Sequence, residues 1–127
     1  MAVEAAKRSR RDRFQPQLAA VREHATEAAG FLKAMANDQR LLVLCSLMEG
    51  ALSVGEINER VRLSQSALSQ HLAVLRDAGL VTTDRQSQTI FYALAAGPAL
   101  QIMEVLYLAF CAPTAAKPVR CRIGKSK

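Results

Sequence analysis

Three cysteines are the side chains of this 127-residue chain whose chemistry is easiest to infer from the sequence. They are Cys45, Cys111 and Cys121, and the two histidines, His24 and His71, are the other candidates for metal binding or nucleophilic chemistry. A tetrahedral site for a soft metal needs three or four nitrogen or sulfur ligands, and the spacing of these residues predicts no such set. Cysteine thiols can instead react as thiolate nucleophiles and form disulfides. The sequence therefore favours thiol chemistry over a metal site.

Enzymatic chemistry is not expected from this sequence. We recognise no catalytic triad, no pair of carboxylates and no phosphate-binding loop in it. The sequence also predicts no cofactor, although haem binding through a cysteine or a histidine stays open.

Apolar periodicity predicts five helices and a β-hairpin as the elements that position these residues. Ser53 and Glu56 form a capping-box pattern, and Pro98 suits the first turn of a helix. The predicted helices are Gln17–Met35, Asp38–Met48, Val54–Arg62, Gln65–Ala78 and Pro98–Cys111, and the strands are Val81–Arg85 and Gln88–Leu94, with Gln86 and Ser87 between them. This order (α-α-α-α-β-β-α), mainly α with a β-hairpin wing, is typical of a winged helix-turn-helix.

Positive charge is concentrated at the two ends of the chain, whose formal net charge is +6. Residues 1–13 carry five bases and two acids, residues 112–127 carry five bases and no acid, and the rest carries seven bases and nine acids. We expect one folded domain over 16–112 between flexible basic segments, 1–15 and 113–127, that make secondary contacts with phosphates. Because the folded part is slightly acidic, any DNA contact there must be local.

Ser64–Ala78 has the two faces that a DNA-reading helix needs. Leucines at positions 68, 72 and 75 would hold one face to a core, and the other face is short and polar. The alternative is an ordinary amphipathic surface helix, but such helices usually expose Lys, Glu and Arg, and none occurs here before Arg76. The predicted DNA-binding residues on this helix and at the hairpin tip are Ser64, Gln65, Ser66, Ser69, Gln70, His71, Arg85, Gln86 and Gln88.

Two segments make this prediction more specific. Phe31–Leu41 resembles the opening motif of ArsR-family repressors, and Leu63–Val81 resembles the recognition helix and first wing strand of that family. The resemblance covers about 16–112. It implies a homodimer joined through helix one and helix five that binds double-stranded DNA at a palindromic operator and is released by a signal. A protein–protein interaction module with a winged-helix shape is the alternative from another functional class.

The cysteines indicate which signal this would be. Some ArsR-type regulators bind metals through Cys-x-Cys at the start of helix three, or through Asp and His on helix five. This sequence has neither ligand set, so no metal site is expected. Cys45 within Leu-Leu-Val-Leu-Cys-Ser-Leu and Cys111 at the end of helix five resemble the persulfide-responsive branch of the family, the SqrR and BigR type. That resemblance implies sensing of persulfide or polysulfide at both thiols, which become linked as a polysulfide or disulfide.

Other interpretations of the thiols stay open. Cys45 is in phase with the apolar positions of helix two, which on periodicity alone slightly favours a small core residue. A general thiol redox sensor and a haem-responsive regulator are the alternatives to persulfide sensing. Cys121 is interpreted as a bystander thiol.

The sequence also predicts a cytoplasmic protein with reduced thiols. No secretory signal is recognisable, and the longest apolar stretch, around Leu100–Ala112, is too short and too interrupted to span a bilayer.

Overall fold

The computed structural model describes residues 17–111, which fall into two compact units divided after Gly30. The predicted flexible segments, 1–15 and 113–127, and Cys121 lie outside the described residues. In the first unit the described residues form most of one helix, α1 (Leu18–Met35), whose last residues belong to the second unit. None of the helices within 17–111 is both long and apolar enough to cross a membrane.

The second unit contains four more helices and a small sheet. In chain order they are α2 (Asp38–Ser46), β1 (Leu52–Ser53), α3 (Val54–Val61), α4 (Gln65–Asp77), β2 (Val81–Gln86), β3 (Thr89–Leu94) and α5 (Pro98–Phe110). The predicted winged helix-turn-helix order is confirmed, with bounds that differ by a few residues. For example, α2 ends at Ser46, two residues before the predicted Met48.

Strand β1 is the element that the sequence did not predict. It is two residues long and pairs antiparallel with β3, so that Leu52 faces Tyr92 and Ser53 faces Phe91. The sheet order is therefore β1-β3-β2. A strand of two residues is too short to show the alternation of side chains by which strands are recognised.

The hairpin tip is shifted by one residue from its predicted place. Gln86 is the last residue of β2 and pairs with Thr89, so the two-residue turn consists of Ser87 and Gln88 rather than Gln86 and Ser87. Ser87 has φ 58, in the left-handed region that hairpin turns of this length require. The sequence offers no Asn or Gly there, which explains why the turn position was wrong.

Local capping fixes where three helices begin. The Asn37 side chain accepts a hydrogen bond from Arg40 N at 3.0 Å, and Ser64 Oγ accepts one from Ala67 N at 3.1 Å. The predicted capping box is present, because Ser53 N donates to Glu56 Oε1 at 2.9 Å and Glu56 N donates to Ser53 Oγ at 3.2 Å. Each cap satisfies amides that the helix itself leaves without partners.

The core of the second unit is built from the inner faces of α2, α3 and α4 together with the start of β2. Its largest fully buried side chains are Leu44, Ile57, Leu68, Leu75, Leu80 and Val43. Leu72 is also buried, so the predicted leucine face of α4 is confirmed. Ala99 and Met103 attach α5 to the same core.

The turn between α3 and α4 is held by one side chain. Asn58 Nδ2 donates to Leu63 O at 2.9 Å, and Leu63 N donates to Asn58 Oδ1 at 2.7 Å. Between them Arg62 adopts φ 56 and ψ 60 and caps α3 by donating its N–H to Asn58 O. This bracket fixes the residues that immediately precede α4.

We expect Asn58→Ala to destabilise the fold by about 1–3 kcal/mol, because Leu63 would lose partners for both its amide and its carbonyl. Arg62→Gly is the control in the same turn. Relief of left-handed strain there offsets the extra entropy of glycine in the unfolded chain, so its unfolding free energy should stay within about 1 kcal/mol of wild type. Urea unfolding measures both. Equal stabilities of the two variants would contradict the bracket.

Candidate nucleic-acid interface and thiol groove

Helix α4 presents a continuous polar surface opposite its buried leucines. Gln65, Ser66, Ser69 and Gln70 are all exposed over its first two turns. Ser64 is exposed too, but it is the N-cap of α4. Its Oγ already accepts a hydrogen bond from Ala67 N. Short donors and acceptors of this kind can reach base edges when a helix lies in the major groove.

His71 stands apart from the other predicted residues of α4 because it is half-buried and has a side-chain partner. Its Nδ1 lies 3.4 Å from Arg40 Nη1, an arrangement in which the guanidinium donates and the imidazole nitrogen accepts. Arg40 Nε also donates to Ala34 O at 2.6 Å, at the end of α1. His71 therefore connects the recognition helix to the α1–α2 junction.

Sequence reasoning did not single out Arg40. The residue lies within the Phe31–Leu41 motif, and its backbone N–H donates the hydrogen bond that the Asn37 side chain accepts as the N-cap. That cap pattern was the only local signal, and it places the backbone of Arg40 rather than its guanidinium.

The wing exposes all three residues predicted to touch DNA, Arg85, Gln86 and Gln88. Gln86 Nε2 donates to Asp84 Oδ2 at 3.1 Å, which engages one of the amide's donors within the wing. Asp84 also places an acid beside Arg85, so the wing carries no net charge from this pair. A phosphate contact at the wing would therefore depend on where the Arg85 side chain lies, because the Asp84 and Arg85 pair supplies no net positive charge.

Cys45 is exposed, and the alternative that it is a buried core residue is wrong. Helix α2 turns Val43, Leu44 and, just beyond its end, Leu47 into the core, which directs Cys45 outward. Leu41 and Met48, whose phase suggested burial, are only half-buried at the margin of the core.

A groove of about 670 Å³ opens beside Cys45. Its apolar wall is formed by Leu42, Met48, Val61 and Tyr107. The groove thus brings α2, the end of α3 and the last turns of α5 to one place.

Two charged side chains also line this groove, Glu49 and Arg60. Arg60 Nη1 lies 3.5 Å from Ser46 O, which places its guanidinium against the end of α2. Sequence reasoning missed both residues, because they lie after the end of α2 and in α3, and no motif marks them.

Cys111 caps α5 one helical turn after Tyr107, and its amide donates to Tyr107 O at 2.8 Å. It is exposed, as is Tyr107. The structure therefore places Cys45 in the groove and Cys111 one turn beyond the groove's α5 residue. His24 lies in the first unit, where its Nδ1 is 3.6 Å from Glu27 Oε1.

No three His, Cys, Asp or Glu side chains between positions 17 and 111 come together as a group that could hold a metal ion. The groups that line the groove thus include a thiol, two charged side chains and an apolar wall.

Comparison with known proteins assigns a family to this arrangement. Residues 37–83, which include α2 to α4, match the model of the bacterial regulatory proteins of the arsR family. The biofilm growth-associated repressor of Agrobacterium fabrum is 46% identical over 76% of this chain and 82% of its own length. The transcriptional activator HlyU of Vibrio cholerae is 48% identical over 70% of this chain and 82% of its own.

Solved structures agree with these relatives. The transcriptional repressor BigR of Xylella fastidiosa superimposes with a TM-score of 0.68 at 39% identity, over 76% of this chain and 99% of that one. Reduced HlyU of Vibrio cholerae gives a TM-score of 0.69 at 46% identity, over 73% and 98% of the two chains. This chain therefore belongs to the ArsR family of bacterial regulatory proteins, and it is a winged helix-turn-helix transcriptional regulator rather than an enzyme.

Proposed function

We propose that this regulator is a homodimeric repressor that binds a palindromic operator and leaves it when reactive sulfur species link Cys45 and Cys111. The observation that carries the proposal is the exposure of Cys45 in a groove that is also lined by Tyr107, which lies one helical turn before Cys111. One relative is named a repressor and another an activator, and both names support a role in the regulation of transcription. The repressor assignment follows the biofilm growth-associated repressors.

The DNA contact is assigned to α4 and the wing. The exposed Gln65, Ser66, Ser69 and Gln70 would face base edges, with Arg85 and Gln88 on the adjacent backbone. A single short helix reads only a few base pairs, so a two-fold dimer that reads two half-sites about one helical turn apart is the arrangement expected to give specificity.

The dimer contact is assigned to α1 and α5. On α5, Val105 and Leu108 are 64% and 65% exposed, and Phe110 is 42% exposed. Leu18 and Val21 of α1 are also exposed. Apolar side chains at this density usually mark a protein interface, and a second copy of the chain is the partner that a palindromic operator requires.

The proposed sensing reaction balances without a further oxidant. The Cys45 thiolate attacks the terminal sulfur of a persulfide RSSH, a new S–S bond forms, and RS⁻ leaves with the electron pair of the broken bond and takes up a proton from water. The Cys111 thiolate then attacks the inner sulfur of the Cys45 persulfide and expels HS⁻, which leaves as H₂S after protonation. Both cysteines are oxidised, and the sulfane sulfur is reduced.

Longer bridges follow the same stoichiometry. Each further RSSH adds one sulfur atom to the bridge and releases one RSH, while H₂S is released once. A direct disulfide requires Cα atoms roughly 4.4–6.8 Å apart. Added sulfur atoms let the bridge span a wider gap, so a wide separation of the reduced thiols would select persulfides over peroxide.

The alternative of a general thiol redox sensor shares the same two cysteines. One relative has a structure specified as reduced HlyU, which supports thiol oxidation as a property relevant to this group of regulators. The two alternatives differ in the oxidant, so a comparison of release by peroxide with release by persulfide separates them.

Substitutions on α4 and on the wing test the proposed DNA contacts separately. On an operator fragment selected by the wild-type protein, Gln70→Ala should reduce the preference for operator over unrelated DNA by about 1–3 kcal/mol. Arg85→Ala should weaken binding to both DNAs alike and lower the slope of log K against log salt by about one per protomer. Gel shifts over a salt series measure both. Loss of affinity for both DNAs alike in Gln70→Ala would contradict base reading by α4.

Single cysteine substitutions test the thiol pair. Cys45→Ser and Cys111→Ser should bind the operator with wild-type affinity but stay bound when an organic persulfide is added. Cys121→Ser is the matched control and should be released like wild type. Mass spectrometry of the released protein should show a whole number of added sulfur atoms, or none, with the loss of two hydrogens.

Two results would overturn this sensing proposal. Normal release of both the Cys45 and the Cys111 variants would remove the thiol pair from the mechanism. Equal release of the wild type by peroxide and by persulfide would favour the general redox sensor, and a Soret band on haem titration that is lost with a cysteine would favour the haem-responsive regulator.

A further inference from the structure

The Cys45 groove contains two charged side chains that the proposed reaction at the thiol does not require. Glu49 and Arg60 line the same groove as the thiol. Within residues 17–111, no carboxylate lies within salt-bridge distance of Arg60. The guanidinium and the carboxylate therefore share one cavity without neutralising each other by direct contact.

The remaining wall is apolar and of a size that suits a small molecule. Leu42, Met48, Val61 and Tyr107 line a space of about 670 Å³, within the range of ligand pockets. Arg60 Nη1 has a long hydrogen bond of 3.5 Å to Ser46 O, which leaves the other donors of its planar guanidinium able to form a paired contact with a carboxylate. Glu49 is exposed and can accept from an ammonium group.

We infer that this groove recognises the persulfide of an α-amino acid, a zwitterion whose carboxylate contacts Arg60 and whose ammonium contacts Glu49 while its terminal sulfur meets Cys45. This inference rests on the proposed function, because it identifies the reagent of the same thiol. A groove with only a cation would favour any anionic sulfur species, and a groove with only an acid would repel them. Paired opposite charges favour the zwitterion over reagents that lack either group.

The chemistry at Cys45 is unchanged by this recognition. The Cys45 thiolate takes the terminal sulfur, the S–S bond of the amino-acid persulfide breaks, and the free amino-acid thiolate leaves with the electron pair and is protonated by water. Arg60 and Glu49 hold the reagent and touch no reacting atom, so they are binding residues and not catalytic ones. Their effect should appear as discrimination between reagents.

The experiment compares rate constants for persulfidation of Cys45 in the full-length protein with four reagents. These are the persulfides of cysteine, of 3-mercaptopropionate, which lacks the ammonium, and of cysteamine, which lacks the carboxylate, and inorganic polysulfide. We expect wild type to react about three- to fivefold faster with cysteine persulfide than with either analogue, the range that exposed charge contacts support. Arg60→Gln should lose the preference over the cysteamine reagent, and Glu49→Gln the preference over the 3-mercaptopropionate reagent.

Ratios between reagents are measured within each variant, so a general loss of folding or reactivity does not imitate the effect. Arg76→Gln and Asp77→Asn remove exposed charges of α4 that do not line the groove, and both variants should keep the wild-type ratios. Equal rates of wild type with all four reagents would overturn recognition of the zwitterion and leave the sensing function intact. Failure of all four reagents to modify Cys45 would instead overturn the sensing function itself.

Discussion

The burial of three leucines on α4 is the constraint on which the rest of this molecule depends. Leu68, Leu72 and Leu75 are packed into the same core as Leu44 of α2 and Ile57 of α3. Once that face is committed, the opposite face of the first two turns of α4 must point to solvent, and its exposed residues there are serines and glutamines. The Asn58 bracket before α4 fixes the entry of the chain into this packing. The proposed reading surface is thus a consequence of the core, and a leucine that shifted in the core would shift every polar donor on the opposite side.

The same core determines where the thiol lies. Helix α2 has only nine residues and directs Val43 and Leu44 inward, so Cys45 must share the outer face with Leu42. Helix α5 is attached through Ala99 and Met103, which leaves its later turns free to carry Tyr107 towards that outer face. A covalent link between the ends of these helices would therefore act on elements that share the core with α4. This is the physical route by which proposed chemistry at Cys45 could change the placement of the recognition helix.

Much of the fold could be predicted from the sequence because its signals are local. The Ser53–Glu56 capping box, the Asn37 cap and the α4 leucines each specify a structure within a few residues, and all three are present. Strand β1 could not be predicted, since two residues acquire strand geometry only by pairing with β3.

The candidate site shows a similar division between local and tertiary information. The polar face of α4 follows from its own periodicity. The exposure of Cys45 does not follow from periodicity. Leu41 and Met48 share the helical phase of Cys45, and their apolar side chains suggested a buried face, but both are only half-buried. Arg40 reaches His71 from a position 31 residues earlier, and Arg60 lines the same groove as Cys45 from a different helix. Such contacts depend on the packing angle of whole helices, which no short sequence pattern records.

The weak charge of the folded part sets the energy scale for the proposed switch. The described residues carry seven bases and nine acids, so general attraction to phosphates adds little there and operator affinity would rest on a few short hydrogen bonds. A ten- to hundredfold loss of affinity corresponds to about 1.4–2.8 kcal/mol. That is close to the net contribution of one or two hydrogen bonds, or of one bidentate base contact. A tilt of α4 that breaks one such contact in each half-site would therefore suffice, and a sulfur bridge need not unfold or dissociate the dimer to release the DNA.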